Sequence, residues 1–213
     1  MSCRMIFVRH GQSLGNKERV FLGHTDLDLS VLGYAQAELT AEFLKDRKID
    51  KIYSSDLMRA YHTSLPLANI LKLEPEKQEE LREIFAGEWE NKGYDYLTAN
   101  YPDSYGIWKN DIGIAHPDCG ESVCDLQKRI VEQVKKIARE NEGKTVAVFT
   151  HATPIRVLFA YIRGLKPSEI KNLPWATNAS VSEAEFSEEG FTEISYSIDS
   201  FLGNIASSMP NGV

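Results

Sequence analysis

The chain has 213 residues, of which 42% are hydrophobic and 26% are charged, and its formal net charge is −7. This length and composition are ordinary for a soluble globular protein with one core, and the acidic balance argues against nucleic-acid and anionic-membrane partners. We expect one domain over residues 1–203 and, with neither a signal-peptide core nor an apolar stretch of membrane length, a cytoplasmic location.

Three segments are predicted to be strands of a central sheet: residues 4–8, 51–54 and 145–150. The last of them, TVAVFT, is apolar and β-branched throughout, which is typical of a central parallel strand. Helices are predicted over residues 31–47, 56–71 and 123–141. A further helix is predicted to begin at Thr153-Pro154, as N-cap and first helical residue. This alternation predicts a three-layer α/β fold in which helices cover both faces of a mostly parallel sheet.

The spacing of apolar residues indicates which face of each helix is buried. Over residues 31–47, that face consists of Leu32, Ala35, Leu39 and Phe43. Over residues 123–141, it consists of Val123, Leu126, Ile130, Val134 and Ile137.

Three further segments lie outside the alternation. Residues 179–186 and 191–198, joined by SEEG, are predicted to form an antiparallel hairpin at the sheet edge. Residues 204–213 contain little that could pack, and we expect them to fray. Residues 88–120 are rich in tryptophan and tyrosine, which predicts an inserted aromatic lid, a satellite hydrophobic cluster under a long loop, or both.

Two histidines and two arginines stand at the ends of the predicted strands. Arg9 and His10 end the first strand, and His151 follows residues 145–150. Arg59 lies in the first turn of the helix that follows residues 51–54. Because ligands bind beyond the carboxyl ends of parallel strands, we expect these four side chains to meet at one edge of the sheet.

These residue types suit an anion, and a phosphate in particular. Two guanidinium groups present planar sets of N–H donors that match phosphate oxygens. The helix predicted at Thr153 would add backbone N–H groups beside His151. Gly11 would let the loop after His10 fold round a ligand, because glycine adopts backbone conformations that other residues resist. The sequence therefore predicts a cationic anion site within an acidic protein.

A metal site is the alternative interpretation of a cluster of histidines. Neither the His-x-x-x-His nor the Cys-x-x-Cys spacing occurs in the chain, and the arginines would repel a cation. The three cysteines are an odd number, which argues against a disulfide framework. We expect no metal and no cofactor.

Six motifs, in order between residue 4 and about residue 163, strongly resemble those of the histidine phosphatase superfamily, which includes the cofactor-dependent phosphoglycerate mutases. They are VRHGQSLGN (8–16), GHTDLDLSVLGYAQA (23–37), SSDLMRAYHTS (54–64), LREIFAGEWE (81–90), GES (120–122) and VFTHATPIR (148–156). The Arg-His-Gly alone would carry little weight, but six ordered motifs are highly specific. The resemblance implies a phosphoglycerate mutase-like fold.

The resemblance also implies roles for the residues at the matching positions. His10 would be the nucleophile that becomes phosphohistidine. Glu83 would protonate the leaving group and then, as a base, activate the water that hydrolyses the intermediate. The phosphoryl oxygens would be held by Arg9, Asn16, Arg59, a protonated His151 and the backbone N–H of Ala152.

Two features depart from the mutases of this family. Between residues 91 and 120 the basic residues are Lys92 and Lys109, against four aspartates, which is a poor cover for a bisphosphate or a phosphoglycerate. The motif Thr150-His151-Ala152 has alanine where the family usually has glycine, and a positive φ at this position would strain it.

These departures favour a metal-independent phosphatase of the histidine acid type that acts on a small phosphorylated metabolite. A cofactor-dependent phosphoglycerate mutase is the alternative. A non-catalytic phosphate-binding module is the alternative of another class, but such a module would not need a proton donor at Glu83. The sequence identifies neither the substrate nor the oligomeric state.

Overall fold

A computed structural model of the protein describes residues 2–207. The strands are β1 (Cys3–Arg9), β2 (Val20–Phe21), β3 (Lys51–Ser54), β4 (Glu76–Lys77), β5 (Lys92–Gly93), β6 (Thr145–Thr150), β7 (Val181–Ser187) and β8 (Gly190–Ile198). The α-helices are α1 (Leu14–Glu18), α2 (Val31–Leu44), α3 (Met58–Leu71), α4 (Tyr94–Asn100), α5 (Pro102–Asn110), α6 (Val123–Glu140) and α7 (Ala152–Ile162). Among these residues, no helix has the length and apolar character needed to cross a membrane.

Six strands form the main sheet, in the order β4-β3-β6-β1-β7-β8. The first four are parallel to one another, and β7 and β8 extend the sheet as an antiparallel hairpin at one edge. The three predicted strands and the predicted hairpin are confirmed. The short strands β2 and β5, which the sequence did not predict, pair separately as a two-stranded sheet.

Alternate residues of the central strands supply two separate cores. On one face, Met5 and Phe7 of β1 pack with residues of α6 and α7, and on the other face, Ile6 and Val8 pack with residues of α2 and α3. Successive side chains of a strand point to opposite faces, so a strand that is apolar at every position needs cover on both sides. The predicted three-layer fold with a mostly parallel sheet is confirmed.

The buried face predicted for α6 is confirmed, whereas the one predicted for α2 is wrong. The residues that α2 buries are Gly33, Gln36, Ala37, Thr40, Ala41 and Leu44. Leu39, which was expected inside, is 37% exposed. A Cβ on Gly33 would lie 2.1 Å from the carbonyl oxygen of Gln12. Close approach of α2 to the loop after β1 therefore requires small side chains here, and hydrophobic periodicity does not report that requirement.

The aromatic segment 88–120 contains the helices α4 and α5. Trp89, Tyr105 and Trp108 are buried and belong to the same core as α6 and α7. The aromatic residues therefore extend the main core, and they do not form a satellite cluster. Tyr94 and Trp108 also reach the cleft described below, which agrees with the predicted position of the segment over the site.

One predicted boundary is wrong. Helix α7 begins at Ala152, with His151 as its N-cap, two residues before the N-cap predicted at Thr153. The prediction that residues 204–213 fray stays a prediction, and the part of this tail that the structure describes, residues 204–207, contacts α2. Gln36 Nε2 donates to the carbonyl of Ile205 at 2.8 Å and to the hydroxyl of Ser207 at 3.3 Å. Residues 208–213, which were also included in the predicted tail, lie outside the described residues.

Candidate active site

The carboxyl ends of β1, β3 and β6 lie side by side at one edge of the sheet. In the parallel pairing, Arg9 lies opposite Thr150 and Ser54 lies opposite Phe149. This register places the residues that follow β1 and β6 against each other, so the ring centroids of His10 and His151 are 5.2 Å apart.

A cleft of about 60 Å³ opens at this edge. Six of the seven predicted site residues line it: Arg9, His10, Asn16, Arg59, Glu83 and Ala152. The seventh, His151, is completely buried and lies behind the cleft wall, with its ring against that of His10. The position of Arg9 and His10 at the end of the first strand therefore places both side chains in the wall of this cleft.

His10 is held in one tautomer by its neighbour. Its ring Nδ1 lies 2.7 Å from the carbonyl oxygen of Gly11, and since a carbonyl only accepts, Nδ1 carries the proton and Nε2 keeps its lone pair. Burial, and then the positive charges of Arg59 and Arg9, lower the pKa of His10 well below 6.5. The imidazole is therefore a neutral potential nucleophile at physiological pH.

The glycine after His10 has a different function from the one predicted. Gly11 has no positive φ, so it does not serve an unusual backbone conformation. A Cβ at this position would instead lie 2.5 Å from the carbonyl oxygen of Gly33. Gly11 is needed because the loop after β1 and the first turn of α2 touch through their backbones. Ala152 also has no positive φ, so the strain expected from replacing glycine there is absent.

The positive charge of the cleft comes from two buried guanidinium groups. Arg9 Nη1 donates to the carbonyl of Ala176 at 2.6 Å, and Arg59 donates to the carbonyls of Gly23 and Thr25 at 2.7 and 2.9 Å. Burial lowers the pKa of each arginine to about 10, which leaves both charged at neutral pH. Between residues 2 and 207, no group of three or more His, Cys, Asp or Glu is arranged to hold a metal ion.

His151 differs from its expected protonated state. Burial, and then the charge of Arg59, lower the pKa of His151 well below 6.5, so the ring is neutral. Its Nε2 lies 2.9 Å from the hydroxyl of Ser55, while Nδ1 is buried with no hydrogen-bond partner among the described residues. The charge that would face a phosphoryl group therefore comes from the arginines.

Glu83 is positioned by backbone N–H groups from two segments. Ile84 N–H donates to Oε1 at 2.8 Å, and Thr153 N–H, in the first turn of α7, donates to Oε2 at 3.3 Å. Arg129 and His24 contact the carbonyl of Glu83, at 3.3 and 2.9 Å. The nearby Glu88, a second carboxylate of the same motif, is not in the cleft wall, and it accepts a hydrogen bond from the hydroxyl of Tyr101.

Two residues that the sequence reasoning missed position the site from behind. The Glu90 carboxylate accepts hydrogen bonds from the backbone N–H groups of His24, Thr25 and Ala86, and so ties the loop that holds Arg59 to the segment that carries Glu83. Asn178 Nδ2 lies 3.1 Å from both the His10 carbonyl and Asn16 Oδ1. Glu90 stands within a motif of the resemblance, whereas no local pattern marks Asn178.

The rest of the cleft wall is mainly apolar and aromatic. It consists of Val20, Phe21, Leu22, Gly23, Tyr94, Trp108, Thr153 and Trp175. Trp175 comes from the loop before β7, which the sequence reasoning did not connect with the site. Trp89, which belongs to the predicted aromatic lid, is completely buried and does not line the cleft.

Tyr94→Ala is expected to raise the ratio of kcat/KM for a bulky aryl phosphate to kcat/KM for glycerol phosphate by about tenfold. The reason is that it widens the cleft and leaves the phosphate contacts in place. Trp89→Ala is the matched control, because Trp89 lies in the core. It should lower the free energy of unfolding by about 3–5 kcal/mol and leave the ratio unchanged. An unchanged ratio in Tyr94→Ala would show that Tyr94 only packs.

The His10 ring is expected to stay neutral as the pH falls through 6.5, where an ordinary imidazole is half protonated. The sign follows from the lowered pKa, because a lower pKa keeps the deprotonated form present at more acidic pH. NMR of the His10 ring protons should therefore show no titration step near pH 6.5. In Arg59→Gln, which removes the larger of the two charge effects, the step should move to higher pH. A step at 6.5 in the unmodified protein would contradict the burial of His10.

The comparisons with known proteins agree over nearly the whole chain. Residues 5–199 match the model of the histidine phosphatase superfamily (branch 1). Phosphoserine phosphatase 1 of Hydrogenobacter thermophilus is 29% identical over 200 residues, which cover 94% of each chain. Phosphoglycerate mutase-like protein 4 of Arabidopsis thaliana is 34% identical over 162 residues, which cover 75% of this chain and 70% of the relative.

A solved structure supports the same assignment. Mycobacterial glucosyl-3-phosphoglycerate phosphatase, determined with VO3, superposes with a TM-score of 0.84 and 27% identity, over 92% of this chain and 99% of that one. The ordered motifs, the sheet topology and the convergence of Arg9, His10 and Arg59 at one sheet edge all point the same way. The chain belongs to the histidine phosphatase superfamily, branch 1.

Proposed function

We propose that the protein is a metal-independent phosphomonoesterase that hydrolyses a small phosphorylated metabolite through a phosphohistidine on His10. The observation that carries the proposal is the state of His10, a neutral imidazole whose Nδ1–H donates to the carbonyl of Gly11. The ring lines a cleft together with two arginines and a glutamate. The relatives named as phosphatases support the same reaction class.

In the first step, Arg9 and Arg59 bind the phosphoryl oxygens and offset their charge. Nε2 of His10 attacks phosphorus as the bond to the ester oxygen breaks. Glu83, in its protonated form, transfers its proton to that oxygen, so the product leaves as an alcohol. The Nδ1–H bond to Gly11 stabilises the positive charge that develops on the imidazole.

In the second step, a water molecule attacks the phosphorus of the phosphohistidine. The Glu83 carboxylate takes a proton from this water, the N–P bond breaks, and phosphate leaves. The neutral His151 assists both steps as a hydrogen-bond donor: in the tautomer in which the Ser55 hydroxyl donates to Nε2, the ring carries its proton on the unpaired Nδ1. Asn16 and the Ala152 N–H complete the phosphoryl contacts.

The direct test is to trap the intermediate. Rapid quenching with a phosphate-labelled ester should yield protein-bound label that is acid-labile and base-stable, on a peptide containing His10. Label on a serine, or turnover without any bound label under single-turnover conditions, would contradict the proposal.

Turnover is expected to survive EDTA, because the two guanidinium groups supply the charge that a metal would otherwise supply. Initial rates should be measured before and after exhaustive dialysis against the chelator. Loss of activity that a divalent ion restores would contradict the metal-independent mechanism.

A phosphoglycerate mutase is the alternative within the family, and one relative is named as mutase-like. Neither Lys92 nor Lys109 lines the cleft, so the segment 88–120 adds no cation to the phosphoryl site. A coupled mutase assay should therefore show far lower activity than phosphate release. The alternative of a non-catalytic binding module predicts phosphate binding without turnover, and the same assay tests it.

A further inference from the structure

A second cavity, of about 310 Å³, lies beside the cleft and shares two of its walls, Trp108 and Trp175. We propose that this cavity binds a carboxylate or phosphate group at the remote end of the substrate, so that the preferred substrates are phosphomonoesters with a second anionic group several bonds from the first. The proposal rests on the proposed phosphomonoesterase function and names the substrate class for it.

The charge of the cavity wall supports an anionic ligand. Three basic side chains line it, Lys109, Arg156 and Lys171, and no carboxylate is found among the described residues of its wall. This concentration of positive charge occurs in a chain whose formal net charge is −7. A concave surface with one sign of charge focuses the electrostatic field on a ligand of the opposite sign. The cavity is therefore suited to an anion.

Two buried N–H groups of the wall point to a missing acceptor. Arg156 Nε and Trp108 Nε1 have no hydrogen-bond partner among the described residues, although the two side chains are only 5% and 3% exposed. Buried polar groups are normally paired, and an unpaired one in a cavity wall marks a place for a ligand or water. A carboxylate or phosphate group bound in the cavity could supply an acceptor for such an unpaired N–H.

The guanidinium of Arg156 is held in place before any ligand binds. Its Nη2 donates to the carbonyls of Ile170 and Lys171, each at 3.1 Å, and its carbon lies 4.2 Å from the ring centroid of Trp175. Lys171 is exposed, and Lys109 lies 3.4 Å from the hydroxyl of Thr98. The site thus combines one fixed cation with two lysines on its rim.

The two anion sites are joined through two consecutive residues. Arg9 in the cleft donates to the carbonyl of Ala176, while Arg156 in the second cavity stacks on Trp175. The Trp175 ring also stacks on Trp108, with centroids 6.0 Å apart. One indole pair therefore lies between the two sites, and the proposed substrate would reach past this pair with an anion at each end.

The test compares matched pairs of phosphate esters. Phosphates of ω-hydroxyalkanoic acids with three to six carbons are each paired with the corresponding primary amide, which has the same shape without the charge. At the best chain length, we expect the acid to exceed the amide in kcat/KM by about tenfold or more. Equal rates for acid and amide at every length would overturn the proposal.

Lys109→Met/Lys171→Met should reduce the acid-to-amide ratio towards one, because it removes both rim cations. Lys128→Met/Lys136→Met is the control that removes the same charge from exposed positions of α6 outside the cavity wall, and it should keep the ratio. Arg156→Gln, checked by circular dichroism, should reduce the ratio further. If the acid-to-amide ratio fell equally in both double variants, the preference would depend only on the net charge of the protein, and the proposed site would be wrong.

A second experiment distinguishes an anionic group on the substrate from a free anion that acts as an effector. It uses free malonate together with nitrophenyl phosphate, which has no second anionic group. If malonate stimulates turnover of nitrophenyl phosphate while acids and amides react equally, the cavity is an effector site and the substrate proposal is wrong. Failure of the proposed function is distinguishable, because then nitrophenyl phosphate and all esters would remain uncleaved and no label would appear on His10.

Discussion

His10→Ala is expected to lower kcat by more than about 10⁴-fold, the largest effect of any single replacement in the cleft. The reason is that the variant loses the atom that forms the covalent bond, while Arg9 and Arg59 still bind the phosphoryl group. KM, or the Ki of inorganic phosphate, should therefore change much less than kcat. Steady-state kinetics with a nitrophenyl ester and titration with phosphate measure the two quantities separately.

His116→Ala is the matched control for His10→Ala. His116 is exposed and contacts the Gly120 carbonyl at 3.1 Å through Nε2, so its loss should leave kcat within a factor of about two, as for an ordinary surface substitution. If the His10 variant kept turnover within tenfold of the unmodified protein, attack by water directly on the ester would replace the phosphohistidine mechanism.

Glu83→Gln is expected to slow hydrolysis of an alkyl phosphate by about 10²–10⁴-fold and to slow a nitrophenyl ester far less. An alkoxide is a poor leaving group and needs the proton, whereas nitrophenolate leaves readily without one. Glutamine preserves the shape of the side chain and can keep an oxygen for the N–H groups of Ile84 and Thr153. The measurement is the ratio of kcat/KM values for the two esters.

Arg59→Ala and Glu88→Gln are the controls that distinguish proton transfer by Glu83 from phosphate binding and from a general loss of negative charge. Arg59→Ala should slow both esters alike, because the guanidinium stabilises charge that both transition states share; its fold should be checked, since the carbonyls of Gly23 and Thr25 lose their donor. Glu88→Gln should change neither rate, because Glu88 lies outside the cleft wall. Equal losses on both esters in Glu83→Gln would assign Glu83 to substrate positioning.

A structural feature was predicted correctly where consecutive residues determine it, and wrongly where a contact between distant segments determines it. The strands β1, β3 and β6 were predicted correctly, because an apolar run covered on both faces is visible in the residues themselves. The face of α2 was predicted wrongly, because Gly33 meets Gln12 through the backbone. That contact selects for small size, which a hydrophobic pattern cannot express.

The same distinction applies to the site. Ordered motifs located six residues of the cleft wall from the sequence, whereas Asn178 and Trp175 reach the site from segments that match no motif. The protonation state of His151 was also decided by the tertiary structure, because its pKa is lowered by complete burial and by the charge of Arg59. Burial of a polar residue at a strand end cannot be read from its neighbours in sequence.

By itself, the sequence determined the α/β class, the order of the main elements, the family, and the residues that meet at the carboxyl ends of the strands. These follow from local periodicity and from motifs, which are written in consecutive residues. Only the tertiary structure decided that Lys109, Arg156 and Lys171 share one cavity and that Trp108 and Trp175 separate it from the cleft. Segments far apart in the chain create that cavity, so its charge and shape exist only once the chain has folded.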